Sequence, residues 1–95
     1  MTADVHFRVI GTRTICNINL FNHLQVSEHN GYAYTNPSDE YDETIGRMVA
    51  LTKATALMRK PICKAIRREY RRLNTLFSQP TSFSQPTSFS LQIGA

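Results

Sequence analysis

The sequence has little of what several classes of protein require, beginning with cysteine and glycine. Its two cysteines, Cys16 and Cys63, are too few for a disulfide framework, and we expect both to be reduced thiols. Its four glycines are isolated, so no glycine-rich loop is present to cradle phosphates. No apolar run approaches the ~20 residues that span a bilayer, and the N-terminus lacks the pattern of a secretory signal. These absences favour a cytoplasmic protein with no membrane partner.

Residues that carry catalysis or bind metal are also sparse. His6, His23 and His29 are scattered, without the i, i+4 spacing of a helical ligand pair, and the two cysteines lie 47 positions apart. The acidic residues between positions 39 and 43 lack the spacing of a calcium loop and are typical of a helix N-terminus. The alternative is an acidic patch that mimics nucleic acid or contacts a basic host protein. Nothing local places a nucleophile beside a base. We therefore expect no enzyme activity, catalytic residue, metal, cofactor or small-molecule substrate.

Basic residues are scarce in the first half of the chain, and acidic residues are scarce in the second half. Residues 1–46 hold two basic residues against six acidic ones, a formal charge of −4, whereas residues 47–95 hold nine against one, a formal charge of +8. Seven of the eleven basic residues fall within fourteen positions, interrupted by a single acidic residue, Glu69. The seven are Arg59, Lys60, Lys64, Arg67, Arg68, Arg71 and Arg72. Such a cluster predicts a surface that binds something anionic.

Alternating apolar residues predict a small antiparallel sheet over residues 4–35. The alternation covers residues 5–9 and 16–20, as in half-buried strands. Gly11-Thr12 predicts the turn between these two strands. Asn30-Gly31 favours the positive φ angles of a type I′ hairpin turn, so we expect it to lead into a short strand over residues 32–35. The sheet would then have three or four strands.

Two helices are predicted after the sheet. Pro37 ends the sheet because it cannot donate a ladder hydrogen bond. A first helix over residues 42–60 is apolar around most of its girth, so we expect it to be buried across the sheet. Pro61 either kinks this helix or separates it from a second helix over residues 61–77. In the second helix an apolar stripe lies opposite the cations; it consists of Ile62, Ile66, Tyr70, Leu73 and Phe77.

The C-terminal segment is a tandem repeat. Residues 78–83, Ser-Gln-Pro-Thr-Ser-Phe, recur without change as residues 84–89. The segment carries no charge and is rich in Ser, Thr, Gln and Pro, a composition typical of a flexible extension. We therefore predict one α+β domain over residues 1–77 and a flexible tail over residues 78–95.

A motif covers the middle of the chain, residues 31–54. It comprises Gly31-Tyr32-Ala33, then Asn-Pro-Ser-Asp-Glu-Tyr-Asp-Glu-Thr-Ile-Gly over residues 36–46, then Ala-Leu-Thr-Lys-Ala over residues 50–54. This motif resembles a pattern common in small bacteriophage accessory proteins of the host-takeover type, in which a Gly-x-Ala hairpin strand leads through a Pro-x-Asp-x-aromatic-Asp turn into a helix. The resemblance implies a phage origin, a helix that approaches the sheet closely at Gly46, and packing of Tyr41 against it. It implies no catalytic residues.

The seven-cation cluster is the feature that predicts a function. Cations on a helix can contact phosphates, and each contact releases counterions. No helix-turn-helix, zinc-finger or aromatic RNA-binding signature accompanies them. We therefore predict a protein that binds DNA or RNA without sequence preference, in the host cytoplasm if it is phage-encoded. Two alternatives stay open: a protein that inhibits or redirects a host nucleic-acid-processing or defence enzyme, such as a nuclease, and a minor phage structural or assembly protein.

Overall fold

The computed structural model describes residues 1–34, 43–77 and 87–94. The elements in these ranges are β1 (Thr2–Ile10), β2 (Arg13–Phe21), β3 (Val26–Tyr34), α1 (Glu43–Thr55), α2 (Lys60–Phe77) and β4 (Ser88–Gln92). The described strands form a four-stranded antiparallel sheet in the order β3-β2-β1-β4. The predicted α+β fold, a sheet followed by two helices, is therefore confirmed.

The core lies between one face of the sheet and the two helices. Alternate positions of β1 and β2 point into it, as the period-2 pattern predicts. The buried apolar residues of the strands are Ala3, Val5, Phe7, Cys16, Ile18, Leu20 and Ala33. Those of the helices are Ala50, Leu51, Ala54, Ile66 and Tyr70. The opposite face of the sheet is not covered by either helix, so polar and aromatic side chains are exposed there.

The turn between β1 and β2 is the one that the sequence predicts. Ile10 pairs with Arg13, which leaves a two-residue connection. Gly11 occupies its first position with a φ of 61°. A positive φ at that position is typical of a type II′ turn, whose twist matches the twist of the flanking strands.

The turn predicted at Asn30-Gly31 is wrong, because both residues lie inside β3. The chain reverses earlier, between Phe21 and Val26, which pair across the ladder. Asn22 closes this loop: its side-chain Oδ1 accepts hydrogen bonds from the backbone N–H groups of Leu24 at 2.8 Å and Gln25 at 2.9 Å. The Asn side chain thus supplies the turn that the Asn-Gly pair was expected to make.

Gly31 is required in β3 because α1 lies directly on it. A Cβ at this position would stand 2.1 Å from the carbonyl oxygen of Ala50 and 2.4 Å from the amide nitrogen of Ala54. Gly46 makes the corresponding approach from the helix, since a Cβ there would lie 2.8 Å from the Thr14 Oγ1. The close approach predicted at Gly46 is therefore confirmed, and the closer one at Gly31 comes from the strand.

The first helix is shorter and less buried than predicted. It ends at Thr55 rather than at residue 60, and the chain closes with i→i+3 bonds from Ala56 N to the Lys53 carbonyl and from Met58 N to the Thr55 carbonyl. Its buried apolar side consists of Ala50, Leu51 and Ala54, and Ile45 on the other side is 61% exposed. The prediction that this helix packs across the sheet is confirmed, whereas the prediction that it is buried is wrong for its outer side.

Pro61 begins a separate helix rather than kinking a longer one. α2 begins at Lys60, so the proline lies in its first turn, where the missing N–H costs no helical hydrogen bond. The Arg59 carbonyl accepts the first helical bond, from Cys63 N at 3.0 Å. Two separate helices allow α2 to fold back over the sheet.

The prediction of a flexible tail is wrong for residues 88–92, which form β4. This strand pairs with β1 from Thr2 opposite Gln92 to His6 opposite Ser88. Phe89, the last residue of the second repeat, packs on the core and lies 6.4 Å from the Phe7 ring, centroid to centroid. The alternation of Phe89 and Leu91 with polar residues is a strand pattern that the composition of the repeat conceals. Residues 78–86 of the predicted tail lie outside the described residues.

Candidate functional site

The rotation of α2 about its own axis is fixed by its apolar stripe. Ile66 is fully buried and Tyr70 is 3% exposed. The Tyr70 ring lies 5.5 Å from the Phe7 ring and 6.3 Å from the Phe89 ring, so β1 and β4 hold it from below. Ile62 packs against the same core from the first turn. With this side of the helix turned to the sheet, the opposite side faces outward.

Five of the seven predicted site residues lie exposed on the outward side of α2. They are Lys60, Lys64, Arg68, Arg71 and Arg72, and we call them the cation row. Their positions recur at intervals of three and four residues, so they lie on one side of the helix. At 1.5 Å per residue, the row extends over about 18 Å of helix axis. The structure thus places these charges as a continuous strip.

Arg59 and Arg67 lie outside the cation row. Arg59 is exposed and precedes the first residue of α2. Arg67 is half-buried between the helices: its Nε donates a hydrogen bond to the Thr55 Oγ1 at 3.0 Å, and its Nη2 donates one to the Thr52 carbonyl at 3.3 Å. These acceptors belong to the last turn of α1, where carbonyl groups lack helical partners and a cation is favoured. Arg67 therefore fastens α1 to α2.

Arg72 is the one member of the cation row with an acidic partner among the described residues. Its Nη2 approaches the Glu69 Oε1 at 2.5 Å, one turn away on the exposed helix surface. The hydrogen bond from Arg72 and its positive charge lower the pKa of the Glu69 carboxyl, and the same pairing raises the pKa of Arg72. Arg72 thus has part of its charge compensated, unlike Lys60, Lys64, Arg68 and Arg71.

An open groove of about 430 Å³ follows one flank of α2. It is lined by Cys63, Lys64, Arg67, Arg68 and Arg71. Four of the five lining residues are cations, and Glu69 is the sole acidic residue in the entire second half of the sequence. The groove therefore presents a concentrated positive potential to solvent, suited to an anion with several charges.

The structure brings together a second set of residues that the sequence analysis did not single out. Arg8, Arg13, Tyr32 and Tyr34 lie at one end of the uncovered sheet face, on neighbouring strands. The signal in the sequence was the alternation of Tyr32 and Tyr34 with Gly31 and Ala33. The predicted strand over residues 32–35 already included both tyrosines, but the incorrect turn at Asn30-Gly31 separated it from residues 26–30 and so concealed its register with β2.

Sites of other kinds find no support in the described part of the chain. No three His, Cys, Asp or Glu residues among the described ones lie close enough together to hold a metal ion. Burial raises the pKa of the Cys16 thiol to about 12, so this cysteine stays protonated. No helix among residues 43–77 is long and apolar enough to cross a membrane. The acidic positions 39–42 and Tyr41 lie outside the described residues.

Comparison with known proteins does not assign the chain to a family. No protein-family model matches it, and no curated protein matches it. The resemblance of residues 31–54 to small bacteriophage proteins stays a prediction.

Proposed function

We propose that this protein binds nucleic acid without sequence preference, through the cation row of α2. The observation that supports the proposal is the exposure of Lys60, Lys64, Arg68, Arg71 and Arg72 along one side of a helix whose other side is held by the core. A solvated helix face that only serves solubility needs mixed charges. In α2 a single acidic residue, Glu69, accompanies the five cations, so the cation row attracts polyanions.

The geometry suits a phosphate backbone better than a single small anion. The cation row extends over about 18 Å of helix, whereas one phosphate group is contacted by two or three side chains at one point. Exposed Lys and Arg side chains are long, so successive cations reach successive phosphates without a fixed register. Such contacts fix position but carry no base information, which is why we propose binding without sequence preference.

The setting that fits this activity is the cytoplasm. Cys16 and Cys63 are both free, and Cys63 borders the cationic groove. Free thiols persist where glutathione and thioredoxin keep them reduced. If the chain is phage-encoded, as its resemblance implies, this compartment is that of the infected host.

A salt titration of binding tests the proposal. We expect the full chain to bind a labelled DNA duplex at 50 mM salt, with log K falling linearly against log salt at a slope of about −4 for four to five phosphate contacts. Raising the salt to 200 mM then weakens binding by roughly 300-fold. Fluorescence anisotropy measures both quantities. The absence of binding at the lower salt concentration would contradict the proposal.

A matched pair of single variants locates the binding surface. Arg68→Ala removes an exposed cation from the cation row, whereas Lys53→Ala removes an exposed cation from the other helix, α1. Both change the net charge by the same amount. We expect Arg68→Ala to reduce the salt slope by about 1 and Lys53→Ala to leave it unchanged. Equal effects would indicate attraction to net charge alone, without a defined surface.

A further inference from the structure

The uncovered face of the sheet has one end that differs from the rest. In one row across the strands, Ile15 of β2 lies between Arg8 and Tyr32. In the next row, Arg13 of β2 lies between Ile10 and Tyr34. Each of these two rows therefore holds one arginine, one tyrosine and one isoleucine. We call Arg8, Arg13, Tyr32 and Tyr34 the arginine–tyrosine end of the sheet.

The two tyrosine rings of this end are accessible. Tyr32 is 40% exposed and Tyr34 is 69% exposed. Because they are two residues apart on one strand, they project from the same face with about 7 Å between their Cα atoms. Their neighbours Gly31 and Ala33 are buried under α1, which fixes this orientation. The sheet thus holds two aromatic surfaces side by side, facing solvent.

The charges on this face are segregated. Arg8 and Arg13 form no side-chain hydrogen bond or ion pair with another described residue, and Arg8 is exposed. The acids lie two rows away, where Asp4 accepts a hydrogen bond from the Ser90 Oγ at 2.5 Å and Glu28 accepts one from the Asn30 Nδ2 at 3.2 Å. A polyanion is therefore attracted to the arginine–tyrosine end and repelled from the opposite end.

A hollow of about 450 Å³ adjoins the arginine–tyrosine end. His6, Arg8 and Ile15 line it together with Asn17 and Asn30. The two amides are held in place, because the Asn17 Nδ2 donates a hydrogen bond to the Asn30 Oδ1 at 2.7 Å. Fixed amides beside an aromatic surface offer donors and acceptors to the edge of a nucleobase.

From these observations we propose that the arginine–tyrosine end binds unpaired bases of single-stranded nucleic acid. Bases stack on tyrosine rings whatever their sequence, while arginines contact the backbone. A duplex keeps its bases inside and cannot use this surface, so the inference names the single-stranded form as the preferred partner. This inference rests on the proposed function, because it takes nucleic acid as the partner. It adds a second mode of binding, in which bases stack on the face of the sheet opposite α2 while the cation row contacts phosphates.

Three probes of equal length separate stacking from charge: oligo(dT), an abasic strand with the same phosphates, and a duplex. We expect the full chain to bind oligo(dT) about tenfold more tightly than the abasic strand, since each stacked base contributes substantially. Replacing both tyrosines, Tyr32→Thr with Tyr34→Thr, keeps a residue suited to strands. It should reduce this preference to about twofold or less. Val26→Thr is the matched control, because Val26 is 76% exposed on the same strand and face but at the other end.

A second readout needs no variant. The chain has four tyrosines and no tryptophan, so tyrosine emission is directly observable. Stacking on Tyr32 and Tyr34 should quench it with oligo(dT) and not with the abasic strand. Quenching by oligo(dT) therefore supports the inference even if the double variant fails to fold.

The outcomes distinguish this inference from the proposed function. Equal affinity for oligo(dT) and the abasic strand, without quenching, overturns the stacking inference and leaves phosphate binding by α2 intact. Binding of oligo(dT) that is lost in the tyrosine variant but unaffected by Arg68→Ala supports stacking and counts against the cation row. If none of the three probes binds, both proposals are overturned, and the exposed tyrosines are left to a protein partner.

Discussion

The two helices meet the same sheet in opposite ways. α1 lies on β3 backbone to backbone, since Gly31 leaves no room for even a Cβ beneath Ala50 and Ala54. α2 instead stands away from the sheet on large side chains, Ile66 and Tyr70. A helix whose backbone contacts the sheet depends on a close steric fit. A helix that contacts the sheet through one apolar stripe leaves most of its circumference exposed to solvent. That exposure is what allows α2 to carry a strip of cations.

The largest expected effect is on the close contact of α1. We expect Gly31→Ala to lower the free energy of unfolding by about 4 kcal/mol or more. The added methyl group would clash with backbone atoms of α1, which cannot rotate away as a flexible side chain could. Urea denaturation followed by circular dichroism measures the loss. Gly94→Ala is the control, since a Cβ there has no atom within 4 Å. A loss below about 1 kcal/mol for Gly31→Ala would mean that α1 is not seated as described.

The next largest effect is on the stability that Tyr70 contributes by packing α2 against the sheet. We expect Tyr70→Ala to cost about 3–5 kcal/mol, as for other buried aromatic residues. Tyr70→Phe should be neutral or stabilising, because the buried Tyr70 hydroxyl has no hydrogen-bond partner among the described residues. Thermal and urea unfolding of both variants test this contrast. A large cost for Tyr70→Phe would show that the hydroxyl does make a bond that matters to stability.

Two neighbouring arginines of α2 should separate structure from binding. Arg67→Ala removes the hydrogen bonds to the Thr55 hydroxyl and the Thr52 carbonyl, so we expect it to cost about 1–2 kcal/mol. Arg68→Ala should change stability by less than about 0.5 kcal/mol, because Arg68 is exposed. The same unfolding measurement serves both. Equal losses would contradict the distinction drawn between them.

The smallest expected effect involves Glu69. Glu69→Gln frees Arg72 and removes the negative charge beside the cation row, so we expect nucleic-acid affinity at low salt to rise a few-fold, with a salt slope steeper by about 1. The pairing lowers the pKa of Glu69 from its usual 4.5. Its small contribution to stability is therefore present at neutral pH and lost as the pH falls through this lowered pKa.

A pH series of wild type and Glu69→Gln checks the stability part of this prediction. The difference in stability between the two should be present near pH 7 and vanish below the lowered pKa of Glu69. A difference that grows on acidification would have the wrong sign, and unchanged affinity in the variant would remove Arg72 from the proposed surface.

Sequence periodicity predicted the elements whose neighbours are close along the chain. The alternation in β1 and β2 and the stripe of α2 follow from which side of an element is apolar, so both could be predicted locally. Gly31 could not, because Asn-Gly is a strong hairpin signal and only the contact with α1 explains a glycine inside a strand. β4 was missed for a related reason, since its partner β1 is at the other end of the chain.

The candidate site divides in the same way. The cations of α2 and their outward side were predictable from spacing alone. Arg67 looks like its neighbours in sequence, and only the position of Thr55 at the end of α1 sets it apart. The arginine–tyrosine end required the register of three strands, which no local pattern specifies.

The position of β4 bears on the order in which the sheet can assemble. The pairs β1–β2 and β2–β3 are hairpins, whereas the pairing of Thr2 with Gln92 joins residues 90 positions apart. The entropic cost of closing a loop rises with that separation, and pairings between distant segments therefore form slowly. We therefore expect β4 to add last, to a three-stranded hairpin meander that is already formed. Until then β1 is an unpaired edge strand that can pair with another chain and so promote aggregation. The pairing of residues 88–92 with β1 removes this risk.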